Sequence, residues 1–169
     1  MIIKKVSDGV YLLKNFVHKD NRGYLKKFYN SSKILNLNFK QFFITENKKK
    51  GTIRAFHYQK YPYFETKIVS VIKGEIFDVI FDTRKNSKNR YKKKTFTLRD
   101  KDNTSLLIGP GYAHGYQTLK KDTIISYLVS PIYKPDLQTG IIFNDPKINV
   151  RWPIKEKILS KRDLKFKRI

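Results

Sequence analysis

Cysteine is absent from the 169 residues, methionine and tryptophan occur once each, and histidine occurs three times. The lack of thiols rules out disulfides, thiolate zinc sites and cysteine nucleophiles. No apolar run approaches the ~18 residues that a membrane-spanning helix needs. The start, Met1-Ile2-Ile3-Lys4-Lys5, carries no signal-peptide h-region, so a cytoplasmic protein is expected. Acidic residues are also scarce: 14 stand against 37 lysines and arginines, for a formal net charge of +23.

Aromatic residues are plentiful, with 11 Tyr and 12 Phe. Disordered basic tails lack such rings, so the composition describes a folded domain with a basic surface. At this length one domain spanning residues 1–169 is the expectation. The charge invites polyanions, from nucleic acid to phosphorylated small molecules. The cations are nonetheless scattered, as in Lys48-Lys49-Lys50, Lys92-Lys93-Lys94 and the tail from Lys155 to Arg168. No zinc-finger spacing or basic heptad gathers them on one element.

Hydrophobic periodicity is two rather than 3.6. Expected strands cover Gly9–Val17, Tyr24–Tyr29, Gln41–Glu46, Thr52–Gln59 and Lys67–Ile72, then Glu75–Asp82, Lys94–Arg99, Ser105–Ile108, His114–Leu119 and Ile124–Val129. Lys73-Gly74 between two β-rich runs reads as a tight hairpin. Ser31–Leu37 is compatible with one short helix, and the charged tail from Pro153 with a helical turn. Many short strands at this spacing give an all-β sandwich or barrel.

With so few histidines, their placement is informative. His57 lies on an expected strand with Arg54 and Gln59. Arg54 and His57, three apart, point to opposite faces unless a bulge intervenes, whereas His57 and Gln59 share a face. His114 follows the turn Pro110-Gly111. A β-rich chain with these features resembles the cupins, small jelly-roll barrels. Many cupins hold a metal through a His-x-His pair, a carboxylate and a later His. Here the pair reads His57-Tyr58-Gln59, and Glu65 alone does not complete a ligand set, so neither metal nor other cofactor is expected.

The ordered segments Asp20-x-Arg22-Gly23, Gly51-Thr52-Ile53-Arg54-x-x-His57-Tyr58-Gln59, Lys67-Ile68-Val69-x-Val71, Gly74-Glu75-Ile76-Phe77-Asp78-Val79 and Asp82-x-Arg84-x-x-Ser87 narrow this further. Gly111-Tyr112-Ala113-His114-Gly115-Tyr116, Tyr133-x-Pro135, Gly140-Ile141-x-x-Asn144-Asp145-Pro146, Trp152-Pro153 and Leu159-Ser160-x-Arg162-Asp163 continue the series nearly to the end of the chain. Together they resemble the dTDP-4-dehydrorhamnose 3,5-epimerase family. The resemblance implies a cupin jelly-roll β-barrel or sandwich with a short C-terminal extension. It also implies metal-independent epimerisation of a nucleotide-linked 4-keto-6-deoxy sugar at C3, C5 or both, in deoxysugar and cell-surface polysaccharide biosynthesis.

Such chemistry needs a base on one face of the sugar, an acid on the other and a cation for the enolate. By matching position, the resemblance gives His57 as base, Asp163 as its orienting carboxylate, Tyr127 as acid and Lys67 as the cation near the C4 oxygen. Arg54 and His114 correspond to diphosphate and sugar contacts, with Gln59, Tyr133 and Gln138 beside the ligand. Arg22 corresponds to an arginine reaching the nucleotide of a partner subunit, which implies a homodimer, and Lys27 stands nearby where an acid is usual.

The chain departs from the family pattern elsewhere. Ala55-Phe56 replaces a Gly-Leu pair, Gln138 replaces a glutamate, and Phe42 and Ile44 stand, in ungapped register, where Gln and Asn are usual. A thymidine nucleotide is thus the default, with GDP, CDP and UDP sugars open. Two other readings stay open to the sequence: a nucleotide-sugar 3,4-ketoisomerase on the same fold, and a non-catalytic basic nucleic-acid-binding module.

Overall fold

The structure is a computed structural model describing residues 2–30, 37–132 and 134–169. Among these residues there are thirteen strands and no α-helix. In chain order they are β1 (Ile2–Ser7), β2 (Val10–Lys14), β3 (Phe16–Asp20), β4 (Gly23–Lys27), β5 (Gln41–Asn47), β6 (Ile53–Gln59) and β7 (Thr66–Lys73). They continue as β8 (Glu75–Asp82), β9 (Lys93–Arg99), β10 (Thr104–Ile108), β11 (Tyr112–Thr118), β12 (Thr123–Ser130) and β13 (Gln138–Gly140). All of the expected Ser31–Leu37 helix except Leu37 lies outside the described residues. The tail does contain a helical turn, a 3₁₀ segment at Asp163–Lys165.

Six strands form one sheet in the order β1-β2-β10-β7-β12-β5, and five form a second in the order β13-β6-β11-β8-β9. The third sheet is the β3-β4 hairpin. Every pairing between strands is antiparallel. Alternation along each strand turns one side chain in two inward, and the inward sets meet between the two large sheets. There Val69, Val71, Ile76, Ile80, Leu98, Leu106, Ile108 and Ile125 are at most 2% exposed. Each such side chain contributes about 1.5–3 kcal/mol on burial. This is the cupin sandwich.

Gly74 corrects one expectation. β7 and β8 flank it directly yet do not pair: β7 bonds β10 and β12, and β8 bonds β9 and β11. The residue is a corner where the chain crosses from one sheet to the other. It holds φ at +91°, and a β-carbon there would stand 2.5 Å from Thr123 Oγ1. Both the dihedral and the space therefore require glycine. Its N–H donates to Asp100 Oδ2 at 2.8 Å.

The C-terminal extension covers the outer face of the five-stranded sheet. Ile141, Ile148, Val150, Trp152 and Leu159 pack on Ala55, Phe56, Val79, Phe81 and Ala113. Polar clips fix it: Gln117 donates to the Ile154 carbonyl at 3.0 Å and accepts the Ile154 N–H at 2.9 Å. The last residues are thereby carried back to β6.

Candidate active site

β6 departs from simple alternation. Its register with β11 runs from His114↔His57 to Tyr116↔Arg54, two residues on β11 against three on β6. This bulge rotates Ala55 and Phe56 together into the outer core, where Phe56 packs edge-on to Phe81 at 4.9 Å and beside Trp152 at 5.7 Å. Arg54 and His57 are left on one face, lining the same cavity. The intervening bulge is the condition that the sequence spacing set for bringing them together.

The cavity holds about 610 Å³ and opens between the two large sheets. One wall is built in cross-strand rows. Val129 of β12 pairs with Lys67 of β7 and Gln41 of β5, and Tyr127 pairs with Val69 and Phe43. The opposite wall carries His57, Arg54, His114 and Tyr116. The tail closes one side with Ser160, Arg162 and Asp163.

His57 Nε2 lies 3.3 Å from Asp163 Oδ2, with the carboxylate 5% exposed. Burial pushes the Asp163 carboxyl up, but the His57 ring, Ser160 and the Ala55 N–H together hold it below its ordinary value. A carboxylate only accepts hydrogen bonds, so Nε2–H is the donor, and in the neutral ring the lone pair is on Nδ1. Phe166 stands edge-on to the ring at 5.2 Å.

Tyr127 is 7% exposed, and burial drives its phenol well above the usual value. Phe43 stacks on it at 4.9 Å and 15°. Lys67 Nζ donates to Glu65 Oε2 at 2.8 Å, both side chains being nearly buried. His114 Nε2 is 2.7 Å from Asp78 Oδ2, and Asp78 is fully buried. Arg54 Nε donates to Asn47 Oδ1 at 3.0 Å, and Arg162 donates to Gln138 Oε1 across the rim.

Seven of the residues singled out in the sequence, His57, Tyr127, Asp163, Lys67, Arg54, His114 and Gln138, line this one cavity. Gln59 does not. It is 1% exposed, its Oε1 accepts the Lys134 N–H at 2.6 Å, and its Nε2 donates to the Tyr63 carbonyl at 3.2 Å. It shares the face of His57 by alternation, but the loops beyond β6 fold over the strand end and take its amide. Arg22 is exposed at the β3-β4 turn and paired with Asp20 at 2.6 Å, and Lys27 lies on the same hairpin over the Phe16 ring. Neither lines the cavity of its own chain. Tyr133 lies outside the described residues.

The register of β5 also differs from the ungapped reading. Gln41, Phe43 and Thr45 face the cavity, while Phe42 and Ile44 are 67% and 59% exposed. Sequence reasoning missed Asn47, Glu65 as the partner of Lys67, Tyr116 and Arg162. Tyr116 carried a signal, since it lies two residues from His114 on the same strand. Glu65 stands at the same spacing from Lys67. Among the described residues, no group of three His, Asp or Glu side chains stands close enough to hold a metal ion, and no helix is long and apolar enough to cross a membrane.

A sequence model of the dTDP-4-dehydrorhamnose 3,5-epimerase family matches residues 5–169. The enzyme of that name from Methanothermobacter thermautotrophicus is 32% identical over 98% of this chain and 92% of its own length. The crystal structure of the Bacillus anthracis epimerase with TDP and PPi bound superposes with a TM-score of 0.93 at 31% identity, covering 99% of this chain and 100% of that one. The Legionella pneumophila dTDP-6-deoxy-D-glucose-3,5-epimerase in complex with dTDP-4-keto-L-rhamnose gives a TM-score of 0.91 at 27% identity, covering 99% and 92%.

Proposed function

The chain belongs to the dTDP-4-dehydrorhamnose 3,5-epimerase family, and we propose that it epimerises a dTDP-linked 4-keto-6-deoxy sugar through the cavity between its sheets. It is an isomerase, and membership of this family decides against the ketoisomerase and binding-module readings. The observation that carries the mechanism is that His57 and Tyr127 belong to different sheets and line one cavity from facing walls.

His57 Nδ1 takes the proton from the carbon beside the C4 ketone. The imidazolium that forms is stabilised by Asp163, 3.3 Å away. The electron pair moves onto the C4 oxygen, where the Lys67 ammonium meets the developing charge. Tyr127 then delivers its phenolic proton to the opposite face of the same carbon, inverting it. The family likeness supports these roles position by position, and the convergence of all four groups in one cavity is what they require.

Arg54 and His114 hold the diphosphate and sugar, and Gln138 at the rim bounds the ligand. TDP in one solved relative and a dTDP-keto sugar in another favour thymidine among the nucleotides. The chain works as a single cupin epimerase-like domain in a cytoplasmic homodimer, with Arg22 and Lys27 reaching the nucleotide of the partner. Both are absent from the lining of their own cavity. Their hairpin also exposes Phe16, Tyr24 and Leu25, apolar surface of the kind an interface covers.

The test supplies purified protein with dTDP-4-keto-6-deoxyglucose in deuterated water. Deuterium entering C3 or C5 identifies the enolised carbon, and His57→Asn is expected to abolish the exchange. No incorporation by the unmodified chain would sink this reading.

A further inference from the structure

Arg54 is held at the cavity wall by a neutral partner. Lys67, His57 and His114 each stand there against a carboxylate, from Glu65, Asp163 and Asp78. Arg54, an exposed side chain lining the same cavity, forms no ion pair among the described residues. Its Nε donates instead to Asn47 Oδ1 at 3.0 Å. Asn47 is the last residue of β5 and is 3% exposed. Two further contacts lock its amide. Nδ2 donates to the carbonyl of Thr123, its cross-strand partner, at 3.2 Å, and the Tyr116 hydroxyl donates to Oδ1 at 3.2 Å. Those two contacts fix the strand end, so the one to Arg54 is left for another use.

An amide oxygen orients a guanidinium without cancelling its charge, whereas a carboxylate does both. With Nε committed to Asn47, the other N–H groups lie on the two terminal nitrogens, the edge that meets a phosphate in paired hydrogen bonds. An arginine side chain loses much rotamer freedom when it grips a ligand, and one already fixed at Nε loses less. We propose that Asn47 is a positioning residue for Arg54. It holds Nε with a neutral acceptor, so that the terminal nitrogens present an undiminished charge to the diphosphate of the ligand. The proposal rests on the reading that Arg54 holds that diphosphate.

The test titrates full-chain variants with dTDP and with thymidine in a calorimeter. The two ligands share base and sugar, and only dTDP carries the diphosphate. Asn47→Ala is expected to raise the Kd for dTDP about ten- to hundredfold, the worth of a hydrogen bond to a charged group. The Kd for thymidine should stay near its wild-type value, which also shows that the variant is folded. With dTDP-4-keto-6-deoxyglucose, KM should rise by a larger factor than kcat falls. An unchanged Kd for dTDP, or equal losses for both ligands, would overturn the proposal. Asn47→Asp, a second variant, keeps the acceptor and adds a negative charge against Arg54. The Kd for dTDP should rise here too, with a shallower dependence on salt. A wild-type Kd in Asn47→Asp would overturn the need for a neutral acceptor. Arg54→Met is run alongside. If it leaves the Kd for dTDP unchanged, the reading of Arg54 itself fails. If it weakens dTDP but Asn47→Ala does not, only the Asn47 proposal is overturned. The Asn47→Ala, Arg54→Met double variant is expected to match Arg54→Met, and a further loss of dTDP affinity would overturn the coupling.

Discussion

Gly115 offers a way to move His57, the proposed base, without touching it. It lies on β11 between His114 and Tyr116, against the β6 bulge. A β-carbon added there would stand 2.5 Å from Ala55 Cβ, 2.8 Å from Phe56 Cδ1 and 2.9 Å from Ala55 Cα. Carbon atoms sit comfortably at about 3.5–4.0 Å, so Gly115→Ala requires the two strands to part by roughly 1 Å. Overpacking of this kind costs about 1–3 kcal/mol, which lowers the melting temperature by about 2–12 °C for a chain of this size. The displaced backbone is the bulge that leads into His57. A misplacement of about 1 Å at a reacting group costs about a hundredfold in rate. The assay pairs a thermal melt with solvent-deuterium exchange, measured well below the variant's melting temperature so that unfolding does not mimic misplacement. A variant with wild-type melting and wild-type exchange would refute the account of the bulge. Lowered melting with unimpaired exchange would refute its coupling to His57 as the proposed base.

Four further outcomes follow from the same contacts. Asp163→Asn keeps the shape but removes the carboxylate that fixes the His57 tautomer, and exchange is expected to fall about a hundred- to a thousandfold in initial-rate assays. Asp163 and Asp82 are both held below their ordinary values in the folded state. Their stabilisation is thus complete above the unfolded carboxyl value of about 3.9 and is lost as pH falls through the folded values. The urea midpoint should therefore drop below about pH 4, and a midpoint that rose on acidification would contradict the assignment. Asp82→Ala strips the acceptor from the Arg84 guanidinium, the Arg84 N–H and the Ser87 hydroxyl, and should cost about 3 kcal/mol in urea titration. Lys67→Met leaves Glu65 a nearly buried unpaired carboxylate and should cost about 3–5 kcal/mol. Adding Glu65→Gln should restore stability but not exchange, separating the structural use of the pair from the catalytic one proposed for Lys67.

The strand pattern was largely legible because burial on one face forces alternation, and Glu75–Asp82 matches its expected span at both ends. What failed was pairing. Two β-rich runs joined at Gly74 look like a hairpin, yet they bond other strands, β7 with β10 and β12 and β8 with β9 and β11, and nothing local records that. β5 failed by parity: Phe42, Phe43 and Ile44 are three apolar residues in a row on an edge strand, so the sequence leaves the inward set undetermined, and a one-residue slip exchanges the faces. His57, Lys67, Tyr127 and Asp163 were legible through the order of motifs around them, whereas Asn47, Glu65 and Tyr116 belong to contacts that only folding assembles.

One place where a local rule breaks lies at the cavity. Alternation fails at the β6 bulge, and that failure puts Arg54 beside His57. In a chain of net charge +23, three of its few acids, Glu65, Asp78 and Asp163, each stand against a cation or histidine that lines the cavity. The lysine excess can enrich an anionic ligand near the surface. The scarce carboxylates do the local work, because each stands against one group that lines the cavity and is itself largely buried.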